Sequence, residues 1–169
     1  MRLGLDLVKG LSRNGVEQLL TAREHRPFHD VADLARRAQL NRGDLEALAA
    51  ADALRSLAGH RYRARWTCAG SITEHPLLQN TAGQEASPLL KAPTEGENLV
   101  ADYASTGLSL GRHPLALLRK RLNRLHLLDA IHIHTCEHGS SARTGGIVTN
   151  RQSPGSASGV IFLTLEDET

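Results

Sequence analysis

One pattern occurs twice in the first part of this chain, and it limits the fold more than any other feature. Under a single offset Leu11-Ser12-Arg13 aligns with Leu40-Asn41-Arg42, Val16-Glu17 with Leu45-Glu46, and Leu19 with Leu48. The repeated unit is L-[S/N]-R-x-x-h-E-x-L, where h is apolar. Apolar residues three and four apart belong on one face of a helix, and a serine or asparagine just before them suits an N-cap. Two such units in tandem predict two hairpin-linked helices packed as one body.

The first copy is the more complete. From Leu5 to Arg23 the chain reads LDLVKGLSRNGVEQLLTAR. Leu5 and Val8 are spaced for a short first helix, Gly10-Leu11-Ser12 for the turn, and Val16, Leu19 and Leu20 for a second helix. In a helix-hairpin-helix the unpaired N–H groups of the bend and of the incoming helix carry partial positive charge, so a phosphate oxygen can dock there with no base being read. A side chain at Gly10 would obstruct both a positive φ and the approach of a phosphodiester. The expected DNA-binding set is Lys9, Gly10, Leu11, Ser12, Arg13 and Asn14. In the second copy Gln39 stands where Gly10 stands, and Gly43 falls inside the helix start, so that hairpin is expected to be structural.

Composition narrows the remainder. The chain is 40% hydrophobic but only 3% aromatic, which predicts an aliphatic, helical core. A formal charge of +2 permits nucleic-acid binding without arguing for it, so any affinity has to come from local geometry. Cys68 and Cys136 stand far apart with no CxxC pair, which suits a reducing cytoplasm. No apolar run approaches a membrane span.

Along the chain, Arg26-Pro27-Phe28 should end the first hairpin unit. Asp30 should cap a helix carrying Val31, Leu34, Ala35 and Ala38, and Asn41 the next, with Asp44 placed for a near capping box. An Ala-rich helix is expected to continue over 49–57. A further one over 59–70 carries Arg61, Arg63, Arg65, Tyr62 and Trp66; it is expected to be solvated, with Trp66 in the core. Pro, Gly, Ser and Thr mark 71–97 as a linker. Pro114 suits a first helical turn, followed by a Leu118, Leu122, Leu125 stripe among Arg119, Lys120, Arg121 and Arg124. The alternation of His132, His134, Cys136 and His138 with Ile131 and Ile133 reads as a half-buried strand, with no metal assigned. GGIVTNR from Gly145 and VIFLTL from Val160 read as two antiparallel strands, and the acidic run from Glu166 as a polar turn.

The tandem hairpin with LVKGLS, the segment EGENLVADYASTGLSLGRHPLALLR from Glu95 to Arg119, and GGIVTNRQSPGSASGVIFLTLEDET from Gly145 to Thr169 together resemble the C-terminal region of bacterial error-prone DNA polymerases. These are relatives of the C-family replicative polymerase α subunit. The resemblance implies a mostly α chain: a tandem helix-hairpin-helix DNA-binding domain over 1–70, a linker over 71–97, a helical connector over 98–130, and the first two strands of an OB-fold, cut short, over 131–169. It implies DNA repair and damage-induced translesion synthesis, with duplex DNA and other damage-tolerance proteins as partners, no membrane, and a cytoplasmic location. The family's catalytic carboxylates, and the Mg2+ they would hold, are expected outside this chain. The competing expectations are a non-catalytic adapter of the repair machinery and an inactive truncated remnant.

Overall fold

Short polar side chains set where the helices begin. Ser12 accepts the Gly15 N–H at the start of α1 (Arg13–His25), Asp30 the Asp33 N–H at the start of α2 (Val31–Arg37), and Asn41 the Asp44 N–H at the start of α3 (Arg42–Ala50). Each satisfies an N–H that the first helical turn leaves unpaired. The computed structural model describes residues 3–71, 88–157 and 159–169. Further helices follow at α4 (Arg55–Ala58), α5 (Arg61–Ser71), α6 (Glu95–Ser105), α7 (Pro114–Arg124) and α8 (Ala130–His134). Two antiparallel strands close the order, β1 (Ile147–Gln152) and β2 (Phe162–Glu166). The expected mostly α fold with a terminal strand pair is what forms. The first expected helix is shorter than its leucine spacing suggested: it is a single 3-10 turn, Leu5–Leu7.

Backbone contacts divide the chain into two units, Met1–Leu110 and Gly111–Thr169. In the first, Leu19, Ala22, Val31, Leu34, Ala38, Leu40, Leu45, Leu48, Ala49, Leu54, Ala58, Ala64 and Cys68 form one aliphatic core. Leu19 and Leu48, equivalent in the repeat, both lie in it. The Ala-rich stretch expected as one helix is broken. Asp52 adopts φ 56° and Ala53 donates to Leu48 O, so α3 ends in a left-handed cap before α4 begins. The residues between α1 and α2 are tied down by Asp33, whose buried carboxylate accepts from His29 N–H, Arg26, Arg36 and Arg37. Those bonds, the His29 N–H foremost, hold its carboxyl down at about 2.

Trp66 corrects an expectation. It is 52% exposed, and the inward positions of α5 belong to Arg61, Ala64 and Cys68. Spacing decides this, because those residues lie at i, i+3 and i+7 on the face that meets α2 and α3. Arg61 itself is 2% exposed instead of solvated, and its Nη2 donates to Asp102 Oδ1 on α6 at 2.5 Å.

Much of the expected 71–97 linker lies outside the described residues, but its end is helical. Thr94 and Glu97 form a complete capping box at the start of α6: Glu97 N–H donates to Thr94 Oγ1, and Thr94 N–H to Glu97 Oε2 at 2.7 Å. α6 belongs to the first unit, where it meets α3.

In the second unit no described residue is fully buried. Pro114 opens α7 as expected. Arg119, one of the basic residues around the leucine stripe, is enclosed: it donates to both Glu168 oxygens, lies 3.5 Å from Asp167, and reaches Leu127 O. The terminal carboxylates therefore hold α7, and Asp167 also accepts from Ala130 N–H at 2.7 Å. The histidine run is not a strand. Asp129 caps His132 N–H and the residues wind into α8, so His132 and His134 do not share the face that an extended chain would give them. β1 and β2 pair from Ile147↔Glu166 to Gln152↔Phe162, with an irregularity between Val148 and Asn150. Every residue of both strands is exposed.

Candidate nucleic-acid interface

The first hairpin is bent where the sequence places its glycine. Gly10 has φ 82°, and Ser12 is extended before α1 begins. Leu11 N–H closes the bend onto Val8 O at 3.3 Å. Lys9, Gly10, Arg13 and Asn14 are exposed, while Leu11 and Ser12 are half-buried.

The polar groups of that set divide into those already engaged and those still open. Lys9 N–H donates to Ser105 O at 2.8 Å, and its Nζ donates to Tyr103 O and Ala104 O, each at 3.2 Å. Its ammonium thus caps the C-terminal end of α6, where carbonyls lack helical partners and the dipole favours a cation. Ser12 N–H donates to Asp44 Oδ1 at 2.7 Å, and Ser12 Oγ donates to Asp44 Oδ2 at 3.0 Å. Among the hydrogen bonds of the described residues none uses the N–H of Gly10, Arg13 or Asn14. The Arg13 and Asn14 amides belong to the open positive end of α1, and the Gly10 amide to the bend before it.

Asp44 is the residue that pattern reading misplaced. Expected to reach back to its own N-cap, it is 2% exposed and reaches the other hairpin. A return to the N-cap takes the longer arm of Glu or Gln, as Glu97 has at α6. The carboxylate lies where a side chain on Gly15 would go: a Cβ there would meet Asp44 Oδ2 at 2.6 Å. Gly15 and Asp44 are equivalent positions of the repeat, so the two copies interlock through a place where they differ.

The second hairpin keeps the geometry of the first without a glycine. Gln39 takes φ 48°, and Leu40 N–H donates to Ala35 O to complete the cap of α2. Arg42 pairs with Glu46 at 2.7 Å as Arg13 pairs with Glu17 at 3.3 Å. Both pairs are largely exposed, where solvent screens them and holding two long side chains together costs entropy, so either arginine is available to a phosphate at little cost.

The comparisons with known proteins agree with this geometry. A family model described as a helix-hairpin-helix motif matches residues 1–64. An error-prone DNA polymerase of Alkalilimnicola ehrlichii is 56% identical over the whole chain, that of Bordetella parapertussis 52%, and that of Methylococcus capsulatus 48%. The chain is homologous throughout to error-prone DNA polymerases. It spans about 16% of the length of these curated relatives. The resemblance carried by LVKGLS and the two later segments is thus a homology that runs from end to end.

A magnesium pair for nucleotidyl transfer requires clustered carboxylates, and the described residues do not fit it: they contain no group of three or more His, Cys, Asp or Glu side chains placed to hold a metal ion. Cys68 is buried against Leu45 O, and burial pushes its thiol up to about 11, away from nucleophilic use. No helix among the described residues is long and apolar enough to cross a membrane.

Proposed function

We propose that the Met1–Leu110 unit grips duplex DNA by its backbone phosphates as the C-terminal DNA-binding portion of an error-prone DNA polymerase active in repair and damage-induced translesion synthesis. The observation that carries this reading is the open set of amides at Gly10, Arg13 and Asn14 beside a left-handed, unobstructed bend. Two N–H donors at a helix N-terminus and one in the bend before it complement a phosphate and are indifferent to base identity. Arg13 adds a side-chain donor. Leu11 and Ser12 shape the cradle, and Lys9 positions it by fixing the hairpin to α6. The strand pair in the second unit belongs, in this reading, to an OB-fold. The setting is cytoplasmic, and the partners are duplex DNA and other damage-tolerance proteins.

The test is anisotropy of a labelled duplex titrated with the full chain over a salt series. Affinity should fall linearly in log–log form as salt rises, equally for unrelated sequences. Arg13→Ala should lower the salt slope by about 1, and Gly10→Val should weaken binding to every duplex alike. Retained duplex affinity in Gly10→Val that still folds, as judged by circular dichroism, would remove the cradle.

A further inference from the structure

The exposed Trp66 is unexplained by packing, and what surrounds it is specific. Tyr62, Arg65, Trp66 and Ala69 of α5, with Leu90 and Lys91, line an open groove of about 540 Å³. Tyr62 is also exposed, at 36%. Arg65 and Ala69 are shared with a second groove of about 430 Å³, whose other wall is Glu46, Ala47 and Ala50 of α3. Ala47 Cβ in turn lies 3.9 Å from where a Cβ on Gly10 would stand. Both grooves lie within the first unit, and Arg65 and Ala69 border each of them.

Large aromatic side chains left in water beside cations are an arrangement that suits stacked bases and flanking phosphates. Arg65 makes no ion pair among the described residues. Of the nearby carboxylates, Glu46 pairs with Arg42, and Glu97 accepts from Thr94 and also faces Tyr62 and Lys91, so Arg65 is the cation of the groove that no described carboxylate engages. Duplex DNA keeps its bases stacked inward and cannot use an indole face. We propose that Trp66, aided by Tyr62, stacks an unpaired base of a DNA single strand, with Arg65 and Lys91 taking the adjoining phosphates. This seat is separate from the duplex cradle and does not depend on it.

Trp66 is the only tryptophan in the chain, so its fluorescence reports on this site alone. Titration of the full chain with oligothymidylate should quench the emission saturably. By anisotropy of the labelled oligomer, Trp66→Leu should weaken single-strand binding roughly tenfold, and Trp66→Phe, which still stacks, by about threefold or less. Duplex affinity should be unchanged in both. Arg13→Ala should show the reverse selectivity, so failure of the duplex cradle and failure of this seat give different results. Unquenched emission with undiminished single-strand affinity in Trp66→Leu would overturn the proposal. So would emission that is already blue-shifted and shielded from acrylamide in the free chain, which would mean that another part of the chain covers the indole.

Discussion

Lys9 stands in the middle of a DNA-binding motif and yet serves the protein's own backbone. Its three donations to the end of α6 join residues more than ninety positions apart in the chain, and a cation at a helix C-terminus contributes about 0.3–1 kcal/mol. Lys9→Ala should therefore lower thermal stability by about 1 kcal/mol, read as a lower Tm, with a smaller loss of duplex affinity than Arg13→Ala. Asp33 carries the clearest pH dependence. Its folded pKa of about 2 lies below the ordinary 3.8, so its stabilisation is fully present above about pH 4 and is lost as pH falls toward 2. The unfolding temperature of the parent chain should drop through that window, and that of Asp33→Asn should drop less. Trp66, expected in the core, is 52% exposed because Arg61, Ala64 and Cys68 hold the inner face of α5. The core of this unit is built from leucines, alanines, Val31 and Cys68, and α5 contributes Ala64 and Cys68 to it.

At the level of elements, polar caps were the most legible signal. Ser12, Asp30 and Asn41 each marked a helix start, and the β-branched runs marked both strands. What escaped had local physics that imitated something else. The capping box of α6 lay hidden among Pro93, Thr94 and Gly96, which read as linker composition. The break between α3 and α4 falls at Asp52, with no glycine or proline to announce it. Histidines at every second position imitate a strand, and only the Asp129 cap distinguishes the helix. Gln39 shows the opposite case, a glycine position filled by a residue that adopts the bend at a cost. Gln39→Gly should relieve left-handed strain and raise stability by about 0.5–1 kcal/mol, measured as a higher midpoint in urea. A fall in the midpoint would mean that the Gln39 side chain makes a contribution larger than its strain.

For the whole molecule, the two units are held by different forces. The first has an aliphatic core; the second has no fully buried residue among those described and relies on Arg119 among Asp167, Glu168 and Leu127 O. Amides of β1, β2 and α7 should exchange with deuterium far sooner than those of α3 and α5. Arg119→Ala should speed exchange in the second unit while leaving the first unit's protection intact.

The contact between Asp44 and Ser12 has a consequence for the symmetry of the paired hairpins. A chain built from two copies of the first would have glycine at both positions, and the half-buried amide of Ser12 would lose the carboxylate that accepts from it. Built from two copies of the second, it would force two carboxylates into one space. The halves can lock together only because they are not alike, so engineering that makes them identical should undo the pair, and exchanging Gly15 and Asp44 together is the one swap with a chance of restoring it.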